Sequence, residues 1–276
     1  MQVREFNTNG NACLLNIEVY TNSPENIRLI ISDVDNQFTK YVDRRRVVDG
    51  LETFKIGLPI APKKAVIKVA NEVSSGMYSP EGFRIEDVYS TTLPTRTYCI
   101  NYNNEYIRKF LPFIQKFCAR AGYLEAGGET YYDSSKTFTI RYFNELRARS
   151  GRVLTTPARV HAKTGIIEIS AEYFRKYTIP MRLAVMLHEF SHFYVNEDID
   201  NEIEADLNGL AMYLSLGYPR ISAFNSFIGV FQNAPTSMNA ERYSVLEDFI
   251  AKFESGDYKK LQYKGINVNA LSKDCK

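Results

Sequence analysis

The spacing of hydrophobic residues changes near residue 95 of this 276-residue chain, and this change constrains the fold more than any other feature. Before it, apolar and polar residues alternate: in "ACLLNIEVY" the side chains of Cys13, Leu15, Ile17 and Val19 fall on one face. Such alternation is typical of strands with one buried face. The stretches "IRLIISDVD", "TKYVDRRRVVD", "LETFKIGLPI" and "KKAVIKVANE" follow at short intervals, and each is predicted to form a strand.

Turn signals separate these predicted strands, namely "NSPEN", the "DG" at Asp49–Gly50, "APKK" and "SSGMYSPEG". Several short strands with such breaks predict an antiparallel β-sandwich of immunoglobulin-like type. The polar, proline-containing segment Tyr89–Tyr98 is interpreted as a linker or as the exit of the last strand. We therefore expect a β-sandwich docking domain at residues 1–97 and a second domain at residues 98–276.

The second domain mixes strand and helix patterns, so the predicted fold class is α+β. "NNEYIRKFLPFIQKFCARAGYL" has its apolar residues at helical spacing, with Asn103 or Asn104 as the N-cap and Gly122 at the end. Pro112 indicates either a kink or a later start of this helix. "KTFTIRYF" alternates like a strand, and "ARVHAKTGIIEIS" is predicted to be a hairpin or strand pair.

Helices are predicted for most of the remaining chain. Thr178 is the expected N-cap of "MRLAVMLHEFSHFYV", with Pro180 in the first turn. Asp200 is the expected N-cap of "NEIEADLNGLAMYLSLG", and Gly217 is its expected end. Two further helices are predicted, around Ser222–Gln232 and Ala240–Phe253.

Charge and termini exclude several functional classes. The net charge is only +2, and the run Arg44–Arg46 is interpreted as a solvated strand end or loop, so no nucleic-acid partner is expected. The first residues, "MQVREFNTNGNACLL", lack the charged start and apolar run of a signal peptide. The apolar runs are too short for a membrane span. We therefore expect a chain made in the cytoplasm, without a membrane span.

The four cysteines, Cys13, Cys99, Cys118 and Cys275, form no CxxC pair, so a cysteine-based zinc site is not expected. Their wide spacing in a long chain differs from a disulfide framework. Free thiols in a reducing compartment are therefore expected.

The segment "HEFSH" contains two of the three histidines of the chain. His188 and His192 are four residues apart, which places both imidazoles on one face of a helix and lets both bind one metal ion. Glu189 lies beside such an ion, where it can take a proton from a bound water. Zinc lowers the pKa of its water, so a carboxylate becomes an adequate general base.

A catalytic zinc site of this kind needs a third protein ligand, and the next predicted helix offers one. Glu202 and Asp206 are also four apart and share a face, which predicts Glu202 as the metal ligand. Asp206 is then expected to accept the second ring N–H of His188 or of His192 and so to fix its orientation. Glu204 is a competing ligand that lies off this shared face.

The pattern "HEFSH" followed by "EIEAD" resembles the gluzincin zinc metallopeptidases. The stretch "EIEADLNGLAMYLSLGYPRISA" is also similar to the CAAX-prenyl and heat-shock protease branch and to ImmA/IrrE-type proteins. The resemblance spans roughly Lys136 to Ile228. It implies a zincin-like domain with Zn²⁺ on His188, His192 and Glu202, and Glu189 as the base. It further implies that the strand "GIIEIS" lies at a sheet edge and binds an extended peptide by strand addition.

Two features depart from that family pattern. The step from His192 to Glu202 is shorter than expected there, and the membrane spans of the CAAX branch are absent. No residue is identified as the group that stabilises the oxyanion. Four residues are candidates by type alone: His161, Tyr194, Tyr213 and Tyr218.

Two functions therefore remain open. The first is a zinc metalloendopeptidase that acts on a peptide or protein substrate, with Glu189 activating water. The second is a structural subunit of a large assembly, such as a phage virion or tail, whose zincin-like domain has little or no peptidase activity. The two are compatible, because a virion-associated protein can also be a peptidase.

Overall fold

The computed structural model describes residues 1–74, 77–233 and 237–275. The chain divides into two compact units, Met1–Pro94 and Thr95–Lys276. The predicted boundary at residue 97 lies close to this division. The antiparallel sheet of the first unit and the mixed α+β class are as predicted from the sequence. No helix of the described part is both long and apolar enough to cross a membrane.

The first unit is a six-stranded antiparallel sheet. Its strands are β1 (Gln2–Asn7), β2 (Cys13–Asp33), β3 (Lys40–Leu58), β4 (Lys64–Ser74), β5 (Met77–Ser79) and β6 (Phe83–Thr91). The stretches predicted as four strands from "ACLLNIEVY" to "LETFKIGLPI" are the two long strands β2 and β3. The predicted turn "NSPEN" is instead a register shift within β2, between Thr21 and Glu25. The predicted turn at Gly50 lies within β3, where its φ of +73° is one that glycine adopts readily.

All six strands share one hydrogen-bonded network, because the two halves of β2 pair with different neighbours. Residues Leu14–Thr21 pair with β6, whereas Ile27–Asp33 pair with β4, and β3 runs along both. The side chain of Gln2 in β1 donates to the carbonyl of Phe83 in β6 at 2.9 Å. The sheet therefore closes towards itself, and alternate residues such as Ile17 and Leu29 are fully buried inside it.

The second unit contains a four-stranded sheet in the order β7-β8-β10-β9. The strands are β7 (Glu129–Tyr132), β8 (Thr139–Phe143), β9 (Ala158–Val160) and β10 (Ile167–Ser170). The predicted pairing within "ARVHAKTGIIEIS" is confirmed, since β9 and β10 are antiparallel. The expectation that "GIIEIS" lies at the edge is wrong: β10 is held between β8 and β9. The edge strand is β9.

Six helices are described in the second unit. They are α1 (Glu105–Arg120), α2 (Ala171–Phe174), α3 (Ile179–Tyr194), α4 (Glu202–Ser215), α5 (Arg220–Asn233) and α6 (Ser237–Ser255). Asn104 caps α1, as predicted, by accepting from the N–H groups of Tyr106 and Ile107. The helix continues through Pro112, so a later start is wrong. Pro112 is exposed, and its missing N–H leaves one backbone carbonyl of α1 without its helical partner.

The helix pair α3 and α4 has the predicted extent but one different cap. Thr178 is at the N-cap position of α3 with Pro180 in the first turn, although the Thr178 side chain makes no capping hydrogen bond. The N-cap of α4 is Asn201, whose side chain accepts from the Glu204 N–H at 3.0 Å, so the prediction of Asp200 is wrong by one residue. Gly217 follows α4 with a φ of +86°, as expected for a helix end.

The C-terminal segment is held by contacts with its own unit. A disulfide joins Cys99 to Cys275, while Cys13 and Cys118 are buried free thiols. The expectation of free thiols is therefore confirmed for Cys13 and Cys118 and wrong for the other two. The backbone N–H of Ala270 also donates to the side chain of Asn208 in α4 at 2.8 Å. The wide spacing of Cys99 and Cys275 in the sequence gives no indication that these two cysteines are paired.

Candidate metal centre

Two histidines of α3 form the centre of the site. His188 and His192 are one helical turn apart, and their Nε2 atoms lie 3.1 Å from each other. The other ring nitrogen of each histidine faces an oxygen acceptor: Nδ1 of His188 lies 2.8 Å from Asp206, and Nδ1 of His192 lies 2.6 Å from the Ile199 carbonyl. If both Nδ1 atoms carry the proton, two Nε2 lone pairs face each other. Such lone pairs repel, so a cation, either a proton or a metal ion, belongs between them.

The first residue of α4 completes the group. Glu202 places one carboxylate oxygen 3.6 Å from Nε2 of His188 and the other 3.8 Å from Nε2 of His192. The three ligand atoms lie within 4.8 Å of one another, and these residues could hold a metal ion. Around a tetrahedral ion with bonds of about 2.0–2.1 Å, neighbouring donor atoms lie about 3.4 Å apart. The three observed distances bracket that spacing.

Asp206 occupies the position next to His188. Its side chain is fully buried. Burial acts to lower the pKa of His188, but the hydrogen bond and charge of Asp206, with Glu189 and Glu202 nearby, outweigh burial and raise it. The sequence left open which histidine Asp206 orients, and the structure places it on His188.

His192 is oriented by the short loop between the two helices. The loop carbonyl of Ile199 accepts the Nδ1 proton of His192, which directs Nε2 towards Glu202. Burial, followed by the nearby charge of His188, lowers the pKa of His192. The short segment between His192 and Glu202 therefore supplies, through the Ile199 carbonyl, a backbone hydrogen-bond partner for His192. Because that partner is a main-chain oxygen, no side-chain pattern in the sequence could have identified it.

Arg242, in α6, is a site residue that sequence reasoning missed. Its guanidinium makes two hydrogen bonds with Asp206, from Nε at 2.7 Å and from Nη2 at 2.9 Å. Its Nη1 lies 3.0 Å from a Glu202 oxygen. Burial would raise the pKa of Asp206, but His188 and Arg242 outweigh burial and lower it. Arg242 thus holds the ligand carboxylate and the orienting carboxylate in one network.

His188, His192 and Glu202 together are called the metal group below. Glu189 lies next to this group without belonging to it. The side chain is half-buried in the cavity described below. Burial, with the nearby charge of Glu202, raises the pKa of Glu189 and outweighs the charges of His188 and Arg242 and a hydrogen bond with the Val160 backbone. A carboxylate with a raised pKa is a better proton acceptor than an ordinary exposed one. The competing ligand Glu204 points elsewhere, because its carboxylate accepts from the Glu197 N–H at 3.0 Å.

A close approach of helix backbones fixes the relative position of these groups. A Cβ atom added to Gly209 in α4 would lie 3.0 Å from the backbone N of His188 and 3.1 Å from the carbonyl carbon of Leu187. Only glycine allows this separation without a shift of α3 or α4. Gly209 therefore lets α4 approach α3 at the histidine that Asp206 contacts.

The metal group opens into a cavity of about 500 Å³. One wall is the segment Thr156–Val160, which contains the edge strand β9, and the opposite walls come from α3, α4 and α6. Asn239 and Arg242 bring polar side chains into this cavity. A cavity bounded by a strand edge on one side can accept an extended chain.

The four residues proposed by type as oxyanion stabilisers lie outside the described lining of this cavity. His161 is exposed in the turn after β9, with its Nδ1 3.0 Å from the Thr164 hydroxyl. Tyr194 packs against aromatic rings including Phe190. The buried side chains of Tyr213 and Tyr218 stack on each other. Besides the histidines, the described lining residues with side-chain N–H donors are Arg159, Asn239 and Arg242.

Comparison with known protein families, with curated proteins and with solved structures gives no match. The chemistry of the site is therefore inferred from its own donor atoms and their surroundings. Those atoms form a compact His-His-Glu group with a separate carboxylate, Glu189, beside it.

Proposed function

We propose that the second unit is a zinc-dependent metallopeptidase of gluzincin type with a zincin-like fold. The observation that carries the proposal is the pair of Nε2 atoms 3.1 Å apart, each with its Nδ1 atom facing an oxygen, and a carboxylate completing the group. Two imidazoles, one carboxylate and a position left for water are the ligand set of a catalytic zinc ion. His188, His192 and Glu202 would hold the ion.

When bound, zinc would polarise a carbonyl and lower the pKa of a water at the site. The residues of the chain supply the rest of the chemistry. Glu189 accepts the proton of the attacking water and passes it to the leaving amine. Asp206 and the Ile199 carbonyl hold the two imidazoles in the tautomer that binds metal, and Arg242 keeps Asp206 ionised.

The edge strand β9 supports a peptide substrate. Its outer edge is not paired within the described sheets, and the segment around it forms one wall of the cavity that contains Glu189. An extended peptide that pairs with β9 would gain main-chain hydrogen bonds, which depend little on sequence. The strand after it, β10, was the sequence-based expectation for this role and is already paired on both sides.

A structural role in a large assembly, such as a phage virion or tail, is the second candidate. It is favoured by one observation: the four residues considered as oxyanion stabilisers all lie outside the described cavity lining. In this alternative the first unit, proposed to be an immunoglobulin-like docking module, binds neighbouring subunits, and the metal contributes to stability. In the enzyme, the same module binds the substrate protein.

Zinc content and peptide hydrolysis test the proposal together. The wild-type protein should contain about one zinc per chain by mass spectrometry and should cleave quenched-fluorescent decapeptides of mixed sequence. Glu189→Gln should retain zinc and lose activity by about 10²–10⁴-fold, the usual contribution of a general base.

Glu241→Gln is the matched control, because this exposed glutamate lies on α6 beside Arg242 in sequence. It should keep both zinc and activity. A wild-type protein that binds no zinc would overturn the proposal, and so would a Glu189→Gln variant with full activity. Stoichiometric zinc without hydrolysis of any peptide would favour the structural alternative.

A further inference from the structure

A second cavity, of about 640 Å³, adjoins the catalytic one along the edge strand. The two cavities share Arg159, Val160 and Ala162. We call the second cavity the basic groove, because the charged residues lining it are four cations and one anion: Arg147, Arg149, Arg159, Lys163 and Glu168. The exposed imidazole of His161 also lines it. A peptide lying along β9 would therefore pass from the catalytic cavity directly into the basic groove.

The acidic residues near the basic groove leave much of its positive charge uncompensated. Glu168 is paired with Arg159 at 2.6 Å, and Glu145 is paired with Arg147. Arg149 and Lys163 are exposed and form no ion pair with any described residue. These two cations are free to bind an anionic group from outside the chain.

Both rims of the basic groove are hydrogen-bonded turns. On one side the Ala148 N–H donates to the Arg152 carbonyl at 2.8 Å, and Gly151 has a φ of +82°. On the other side the Gly165 N–H donates to the His161 carbonyl at 2.9 Å. The backbones that carry Arg149 and Lys163 are therefore fixed before any ligand arrives, which reduces the ordering cost of binding.

We propose that the basic groove binds acidic side chains of the substrate, so that the enzyme selects peptides with Asp or Glu beside the scissile bond. The inference rests on the proposed peptidase function, because it uses the same edge strand. A peptide fits better than a nucleic acid for two reasons. The strand edge offers main-chain hydrogen bonds to another strand. The described lining contains no phenylalanine, tyrosine or tryptophan ring on which a base could stack.

Binding is tested in the zinc-loaded Glu189→Gln variant, so that peptides are not consumed. The probes are two fluorescent decapeptides that differ only by Glu or Gln at four positions. The Glu peptide should bind about tenfold more tightly at low salt, since several exposed ion pairs contribute. The preference should shrink as ionic strength rises, because salt screens exposed charges.

Charge reversal shows whether the basic groove is responsible. Arg149→Glu with Lys163→Glu, added to Glu189→Gln, should remove the preference for the Glu peptide and leave binding of the Gln peptide unchanged. Lys116→Glu with Lys273→Glu is the charge-matched control, since both lysines are exposed and unpaired in the described chain. This control should keep the preference.

The outcomes separate the inference from the proposed function. If the wild-type enzyme cleaves both decapeptides equally and binds them equally, the basic groove has no such role and the peptidase stands. If charge-selective binding occurs but no peptide is cleaved, the peptidase is overturned and the acidic-peptide site stands. If a single-stranded oligonucleotide binds more tightly than the Glu peptide and loses binding on charge reversal, the groove is a nucleic-acid site and the inference is overturned.

Discussion

The two units bury polar groups of different kinds. In the described part of the first unit, the buried polar side chains are all uncharged: Thr8, Asn16, Thr21, Ser32, Thr39 and Asn71. In the second unit they include ionisable groups: Arg182, His192, Glu204, Asp206 and Arg242. Removing a charge from water costs several kcal/mol unless partners compensate for it. The described part of the first unit shows that a core can form without buried ionisable side chains.

The buried charges of the second unit have two separate purposes, which their partners reveal. Arg182 donates to the carbonyl of Cys118 near the end of α1 and to that of Phe174 at the end of α2. It therefore satisfies carbonyls at two helix ends, where a cation is also favoured by the helix dipoles. Arg242 instead pairs with two carboxylates beside the histidines. The first arginine supports the fold, and the second supports the site.

The largest expected difference between the units concerns their bidentate ion pairs. Asp206–Arg242 is 0% and 9% exposed, whereas Asp43–Arg28 in the first unit is 20% and 18% exposed. Asp206→Asn removes the buried carboxylate charge from the bidentate pair and leaves the Arg242 guanidinium with Glu202 alone, which should lower the free energy of unfolding by about 3–5 kcal/mol. Asp43→Asn should lower it by about 1 kcal/mol or less. Urea unfolding measures both.

Zinc affinity provides a second test of the same comparison. Asp206→Asn should weaken zinc binding by about 10–100-fold, because the carboxylate orients His188, a proposed metal ligand. Asp43→Asn should leave zinc affinity unchanged. If the two substitutions had equal effects on stability and neither changed zinc binding, the deeper burial of the Asp206–Arg242 pair would contribute nothing extra to the free energy of unfolding or to metal binding.

A smaller effect is expected from the contact between α3 and α4. Gly209→Ala places a methyl group 3.0 Å from the backbone of His188, and overpacking of this kind costs about 1–3 kcal/mol. The better helix propensity of alanine offsets about 1 kcal/mol of that loss. We therefore expect a modest net loss in the free energy of unfolding, together with weaker zinc binding, measured by urea unfolding and calorimetric titration.

Gly127→Ala is the control for that substitution. The nearest atoms to an added Cβ at Gly127 belong to the flexible side chain of Glu129, at 3.4 Å, so stability should change little. A Gly209→Ala variant as stable as the wild type, with unchanged zinc affinity, would show that the two helices adjust freely and that Gly209 does not set the position of His188.

The parts of the site that were predictable are those that helical geometry fixes locally. The spacing of His188 and His192 and of Glu202 and Asp206 placed each pair on one helix face, and the structure brings the four together. Arg242 is 36 residues beyond Asp206 in the chain, and no local pattern marks it as a partner. Contacts over such distances depend on how helices pack, which residue periodicity does not specify.

Strand predictions show the same limit. Alternation identified the strand residues of the first unit, but the segments "NSPEN" and Asp49–Gly50 looked like turns although β2 and β3 continue through them. Turn-forming residues also occur at register shifts within long strands, so composition does not separate the two cases. The order of strands in the second sheet is likewise a tertiary property. The expectation that β10 lies at the edge came from the family resemblance, and β9 occupies that edge instead.

The smallest expected effect is the pH dependence of the Asp43–Arg28 pair in the first unit. Burial would raise the pKa of Asp43, but the hydrogen bonds and charge of Arg28, with Lys40 and Arg45, outweigh burial and lower it. A carboxyl whose pKa is lower in the folded state stabilises the fold above its unfolded pKa of about 3.9. This stabilisation is lost as the pH falls through the folded pKa.

The difference in unfolding free energy between wild type and Asp43→Asn should therefore be constant from pH 7 to 5 and shrink below about pH 4. Urea titrations at several pH values would measure it, and a difference that grew on acidification would mean that Arg28 does not stabilise the ionised carboxylate.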